Sequence, residues 1–195
     1  GKAYEISNDE SYAKVFVEQT QDWIEKNPFL IGANWLCPMD VAIRAINLIW
    51  AFDYFKPSKS VTEIFKQKLI CSLYDHKIYL ESNWEESDKP NNHYIADLVG
   101  HLYLCCFFGT NTKYTIKKIV LEFDRQVNPD GSCYEGSTSY HKLVTELFLH
   151  VYLLCKTKKI KLPKKFESKL NKMLEFMNAC KDVQSGDNDS GKIVT

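Results

Sequence analysis

The sequence predicts an all-α domain of stacked helical hairpins, the arrangement of an α/α toroid or solenoid. Three observations carry that expectation. Apolar residues recur at i, i+3 and i+4 through about seven separate stretches, and the period-2 alternation of a half-buried strand is almost absent. Several stretches, notably Asn92 to Phe108 and Leu143 to Leu154, are apolar on more than one face, as helices enclosed by neighbours are. Loops of two kinds alternate along the chain, which is what hairpins stacked side by side produce.

Each element has its own local reason. Asn8 or Ser11 can cap a first helix that reaches Lys26, with Tyr12, Val15, Phe16, Gln19 and Trp23 at helical spacing, and Asn27-Pro28 ends it. Pro38 sits well in the first turn of a second helix whose broad apolar face is Val41, Ala42, Ala45, Ile46, Ile49 and Phe52. Ser60 with Glu63 three residues on has the form of a capping box for a third. Asn92 opens a fourth, which Gly109 stops. Helices from Lys113, from about Thr138 and from about Lys164 complete the set. No internal repeat is visible, so a consensus repeat protein is not expected.

With 195 residues, 45% of them apolar and 26% charged, the chain can build one domain with its own core. A formal net charge of zero gives no electrostatic case for nucleic acid as a partner. The apolar runs are too short and interrupted to expect a membrane span. The seven cysteines are odd in number and contain no C-x-x-C pair, so no metal and no disulfide framework is expected. Mostly buried, reduced thiols are the simpler reading, and they lean towards a reducing compartment.

Three loops are rich in hydrogen-bonding side chains: "GANWLCPM", "SDKPNNH" and "NPDGSCYEGSTSYH". Two helices separate each from the next, so all three should emerge at one end of the stack. Their convergence would gather Trp35, Asn92, His93, Tyr134, Glu135 and Tyr140, with Arg44 and His141 nearby. Aromatic surface beside amides and a carboxylate suits a polar, ring-shaped ligand such as a sugar. Each residue also has a plainer reading. Asn92 can simply cap its helix, Trp35 can be core, Arg44 can pair with Asp40 one turn back, and Glu135 can answer a helix dipole.

Taken together, "NNHY", "DGSCYEGS" and "SYHKL", with "GANWLCPMDVAIRAINLIW" earlier and "GDNDSG" later, resemble the heparinase II/III-like and alginate-lyase-like polysaccharide lyases. The resemblance runs from about Asn34 to Gly191. It implies an α/α toroid, here incomplete, over residues 1–183, with residues 184–195 a tail leading towards a C-terminal β-rich domain absent from this chain. In such lyases some members bind zinc in that further domain, so no cofactor is expected within this one. The resemblance further implies an acidic polysaccharide as partner and a periplasmic or secreted location. By motif position it gives catalytic roles to Asn92, His93 and Tyr140 and a place in the cleft wall to Tyr134, while Trp35, Arg44, Glu135 and His141 are expected substrate contacts of the converging loops.

The chemistry fits those residue types. Removing the C5 proton of a uronate places a second negative charge beside the first. A donor such as Asn92 or His93, aimed at the carboxylate, stabilises that charge where it develops. A phenol near C5 can take one proton and return another to the leaving oxygen. A non-catalytic glycan-binding toroid and a glycoside hydrolase are the alternatives. The hydrolase needs two opposed carboxyls, for which Glu135, Asp130 and Asp40 are the candidates.

Overall fold

The computed structural model describes residues 1–89 and 91–187. Its α-helices in order are α1 (Lys2–Ser7), α2 (Glu10–Lys26), α3 (Pro38–Phe55), α4 (Glu63–Ser82), α5 (Asn92–Phe108), α6 (Lys113–Gln126), α7 (Thr138–Thr157) and α8 (Lys165–Ala179). One 3₁₀ turn at Ala33–Trp35 lies between α2 and α3. Among the described residues the only strand-like pairing is a lone bridge, Val127 to Cys133. The seven expected helices are present as α2 to α8, and the short α1 is an addition.

The helix starts are shifted from expectation. Asp9, rather than Asn8 or Ser11, caps α2 and accepts from Ser11 N at 2.9 Å. Thr62, rather than Ser60, caps α4 and accepts from Phe65 N at 3.2 Å. Asn91, rather than Asn92, caps α5 and accepts from Tyr94 N at 2.8 Å. The cause is common to all three. Several short polar side chains stand within a few positions, and the cap is the one whose oxygen reaches the second or third amide of the turn. The buried line of α2 is also rotated. Ala13 and Thr20 are buried with Phe16 and Trp23 half-covered, while Tyr12 and Val15 face water.

The helices pack in two rows. In the inner row α5 lies between α3 and α7, and the three run the same way: Ala42 meets Gly100, Phe52 meets Phe107, and Tyr103 bonds His150. Helices α2, α4, α6 and α8 form the outer side. Helix α5 is buried on nearly all faces from Asn92 to Cys105, which explains its apolar girth. Gly100 allows the closest approach, since a Cβ there would lie 2.6 Å from the Ala42 side chain. A tyrosine bridge braces the row: Trp50 Nε1 donates to Tyr103 Oη at 3.3 Å, and Tyr103 Oη lies 2.7 Å from His150 Nδ1.

Residues 184–187 fold back onto the start of α7. Ser137 Oγ donates to the Asp187 carbonyl at 2.6 Å and Thr138 N to the Ser185 carbonyl at 3.0 Å. The rest of the expected tail, with most of "DNDSG", lies outside the described residues. No helix among the described residues is long and apolar enough to cross a membrane. All seven cysteines are free thiols, but only Cys105, Cys133 and Cys155 are fully buried. Cys37, Cys106 and Cys180 are half-covered and Cys71 faces solvent on α4. Burial was thus over-expected for the outward-facing thiols, where an apolar helix stretch has a solvent side.

Candidate active site

Because α3, α5 and α7 run in parallel, their N-termini and the long links before them meet at one end. Those links are residues 27–37, 83–91 and 127–137, against shorter ones at 56–62, 109–112 and 158–164. Contacts tie the three together. Met39 N donates to Glu85 Oε2 at 3.3 Å, the His93 ring lies 3.2 Å from Glu85 Oε1, and Asn92 Nδ2 donates to Glu135 Oε2 at 2.8 Å. Three parallel helix N-termini aim partial positive charge at this end, which favours an anionic ligand.

The α5–α7 side is held by Gln126, the last residue of α6. Its Nε2 donates to the Asn91 carbonyl at 2.9 Å and to Glu122 Oε2 at 3.1 Å. Its own carbonyl accepts from Tyr134 N at 2.7 Å. Gly131, with φ of +93°, lets the loop press against α8, where a Cβ would lie 2.4 Å from the Lys172 carbonyl oxygen. The loop so fixed sets Glu135 against Asn92. Asn92 is 6% exposed, and an amide nitrogen carries two N–H groups. One holds Glu135 and fixes the amide plane; the other can meet a carboxylate. Tyr140 stands half-buried on the first turn of α7, where Ser137 Oγ caps its backbone amide at 3.2 Å. Tyr134 is 52% exposed at the rim. His93 is exposed and its Nδ1–H faces both oxygens of Glu85.

Two expected cleft residues lie in the core instead. Trp35 is 5% exposed; it donates to the Asn27 carbonyl at 3.2 Å and packs on Phe29, His76 and Tyr79. His141 is buried between α7 and α8, its Nε2 3.0 Å from the Met173 carbonyl and its ring edge-on to Phe176. Burial holds its pKa below the usual imidazole value. Arg44 donates to His76 Nε2 at 2.9 Å, through Nε, and to the Asn34 carbonyl at 2.8 Å, with the Asp40 charge one turn back also acting on it. Its guanidinium lies over Trp23 at 4.4 Å and Trp35 at 5.2 Å, and burial lowers its pKa to about 10. Asp130 accepts from Ser132 N and Oγ through Oδ1 within its own turn.

Sequence reasoning missed Glu85, Asp97 and Gln126. Asp97 Oδ2 accepts from Glu85 N at 2.9 Å. Burial, with the Glu85 charge adding, pushes its pKa up to about 7. Among the described residues, the buried side-chain atoms without a partner are Asp97 Oδ1, Gln126 Oε1, Glu135 Oε1 and His141 Nδ1. Asp97, Gln126 and Glu135 stand around the three long links, while His141 lies in the core between α7 and α8. Buried polar atoms are usually hydrogen-bonded, so each of these is met by water or by a ligand or is held under strain.

Parallel inner helices with an amide, a carboxylate and a phenol gathered at one end fit the α/α toroid that the sequence predicts. Residues 1–182 match the family described as Heparinase II/III N-terminus, and the chain belongs to that family. The heparin-sulfate lyase of Pedobacter heparinus is 27% identical over 185 residues, covering 89% of this chain and 27% of that protein. That of Bacteroides stercoris is 27% identical over 174 residues, covering 76% of this chain and 26% of that protein. A solved heparinase III structure matches with a TM-score of 0.70 at 26% identity, over 91% of this chain and 32% of that one. The heparan sulfate lyase HepC of Pedobacter heparinus shares the fold, with a TM-score of 0.70 at 24% identity over 90% of this chain and 29% of that one. The chain spans about a quarter of the length of these curated relatives.

Proposed function

We propose that this chain is the toroid portion of a polysaccharide lyase that cleaves a uronic-acid-containing glycosaminoglycan of the heparin or heparan sulfate class by β-elimination. The observation that carries the reading is the Asn92 amide, held at 2.8 Å by Glu135 in the loop that leads straight into Tyr140. In this reading Asn92 donates to the uronate carboxylate and stabilises charge as C5 loses its proton. His93 stands beside it as a second donor. Tyr140 takes the C5 proton and returns one to the leaving oxygen, the role a positioned phenol can fill. Glu135 Oε1, buried and without a partner among the described residues, accepts from a sugar hydroxyl. Tyr134 offers its ring at the rim. A periplasmic or extracellular location goes with such a substrate.

The test is ultraviolet absorbance of the unsaturated uronate while the full-length protein is incubated with heparan sulfate, hyaluronan and alginate. A lyase generates the chromophore on its own substrate. Release of reducing ends without the chromophore would make the protein a hydrolase, and tight binding with neither would make it a glycan-binding module.

A further inference from the structure

Cys37, Glu85 and His93 come from three different segments: the residue before α3, the α4–α5 link and the first turn of α5. Yet a Cys37 Sγ, a Glu85 carboxylate oxygen and a His93 ring nitrogen all lie within 4.8 Å of one another. We propose that these three side chains form a binding site for a divalent cation of borderline softness, with Zn²⁺ as the fitting ion. The expectation of no metal rested on the lack of a local ligand pair. Here the ligands are 48 and 8 residues apart in sequence, so no spacing motif could announce them.

The geometry is close to what zinc requires. Bond lengths of about 2.0–2.3 Å to nitrogen, oxygen and sulfur place tetrahedral ligands roughly 3.3–3.7 Å apart. His93 Nδ1 already lies 3.2 and 3.3 Å from the two Glu85 oxygens. Bringing the thiol into the same shell needs about 1 Å of side-chain movement at most, judged against that tetrahedral spacing. Thiolate, imidazole and carboxylate together are a zinc-type donor set, unsuited to calcium or magnesium. Three protein ligands leave a fourth position open, and the His93 side chain, 47% exposed, keeps it accessible to solvent.

The surroundings support a cation. Glu85 is oriented by two backbone bonds, accepting from Met39 N and donating its own N–H to Asp97 Oδ2, the kind of outer support that holds metal ligands in place. Asp97 Oδ1 is buried without a partner among the described residues. A dication bound here takes the Glu85 carboxylate directly and the Cys37 sulfur as a thiolate, with release of its proton. The site stands on this geometry alone and does not depend on the lyase reading, although a cation one residue from Asn92 would also favour an acidic sugar.

The experiment is titration of the purified, fully reduced protein with Co²⁺ and Zn²⁺ in the absence of polysaccharide. One equivalent of Co²⁺ should bind with a thiolate-to-cobalt absorption band and be displaced by Zn²⁺. The band should vanish in Cys37→Ser, and Zn²⁺ affinity should fall by about tenfold or more in Glu85→Gln and His93→Gln. Cys71→Ser, on the exposed face of α4, should keep both. His93→Gln changes an exposed side chain and so reports even if Cys37→Ser folds poorly. No stoichiometric binding, a band that survives Cys37→Ser, or a band lost only in Cys71→Ser would overturn the proposal.

Discussion

The site end of the stack has two sides built from similar residues to different ends. On the α2–α4 side, Trp23, Trp35, Arg44 and His76 form a closed cluster. Trp35 Nε1 bonds the Asn27 carbonyl, His76 Nδ1 lies 2.7 Å from the Ser72 carbonyl, and His76 Nε2 accepts from Arg44. On the α5–α7 side, Asn92, Glu135 and Gln126 are buried or nearly so, yet Glu135 and Gln126 each carry an atom without a partner among the described residues. Both sides mix aromatic, amide and charged groups. A buried polar network that closes on itself specifies a fold, whereas one with unmet atoms has polar groups left to be satisfied by water or by a ligand. Under the proposed function the first side supplies stability and the second chemistry, and substitutions on each side can break or sharpen that division.

The largest effect should come from the open side. In the full-length protein Asn92→Ala should lower turnover by roughly 10²–10³-fold, the loss expected when one donor to developing charge is removed. Steady-state kinetics on the best polysaccharide checks this. A variant with lowered melting temperature but normal turnover would move Asn92 to the structural side.

The closed side should respond to pH rather than to substrate. Burial, with the Arg44 charge adding, holds the pKa of His76 down at about 4. A histidine in the unfolded chain titrates near about 6.5. As pH falls, the unfolded state therefore takes up a proton first. Stability is full above about pH 6.5 and is lost progressively down to about pH 4, by up to about 3 kcal/mol. Urea midpoints across that range should fall more steeply for the wild type than for His76→Gln, which keeps an acceptor for Arg44 without the titration. Parallel curves would show that His76 is not the group responsible.

The smallest effect should separate two neighbours. Asn91→Ala removes the α5 cap and should cost about 1 kcal/mol of stability, read as a lower melting temperature, with turnover close to normal. If Asn91→Ala and Asn92→Ala behaved alike, the distinction between cap and donor would fail.

Much of this was legible in the sequence, but at different scales. Helical periodicity announced α2 to α8 because a 3.6-residue apolar repeat is written along each helix. The alternation of long and short links announced that the loops before Met39, His93 and Tyr140 share one end, and the bonds from Glu85 and Asn92 bear that out. Caps were not legible, because Asn91 and Asn92, or Ser60 and Thr62, differ only in the entry angle of the folded chain. Nor was the burial of Trp35 and His141. An aromatic ring beside a loop reads the same whether it faces a cleft or a neighbour, and the neighbours here, Phe29 and Phe176, come from other segments. The Cys37–Glu85–His93 cluster is set wholly by tertiary packing.

The central claim is that the open side performs proton transfer through Tyr140. The most direct measurement is unsaturated-uronate formation by the full-length protein carrying Tyr140→Phe, compared with Tyr134→Phe at the exposed rim. Tyr140→Phe should lower kcat by roughly 10²–10⁴-fold, the contribution of a general acid–base group, with its melting temperature nearly unchanged because the ring still packs. Tyr134→Phe should be much milder. Near-normal elimination by Tyr140→Phe, with Tyr134→Phe inactive, would contradict the account.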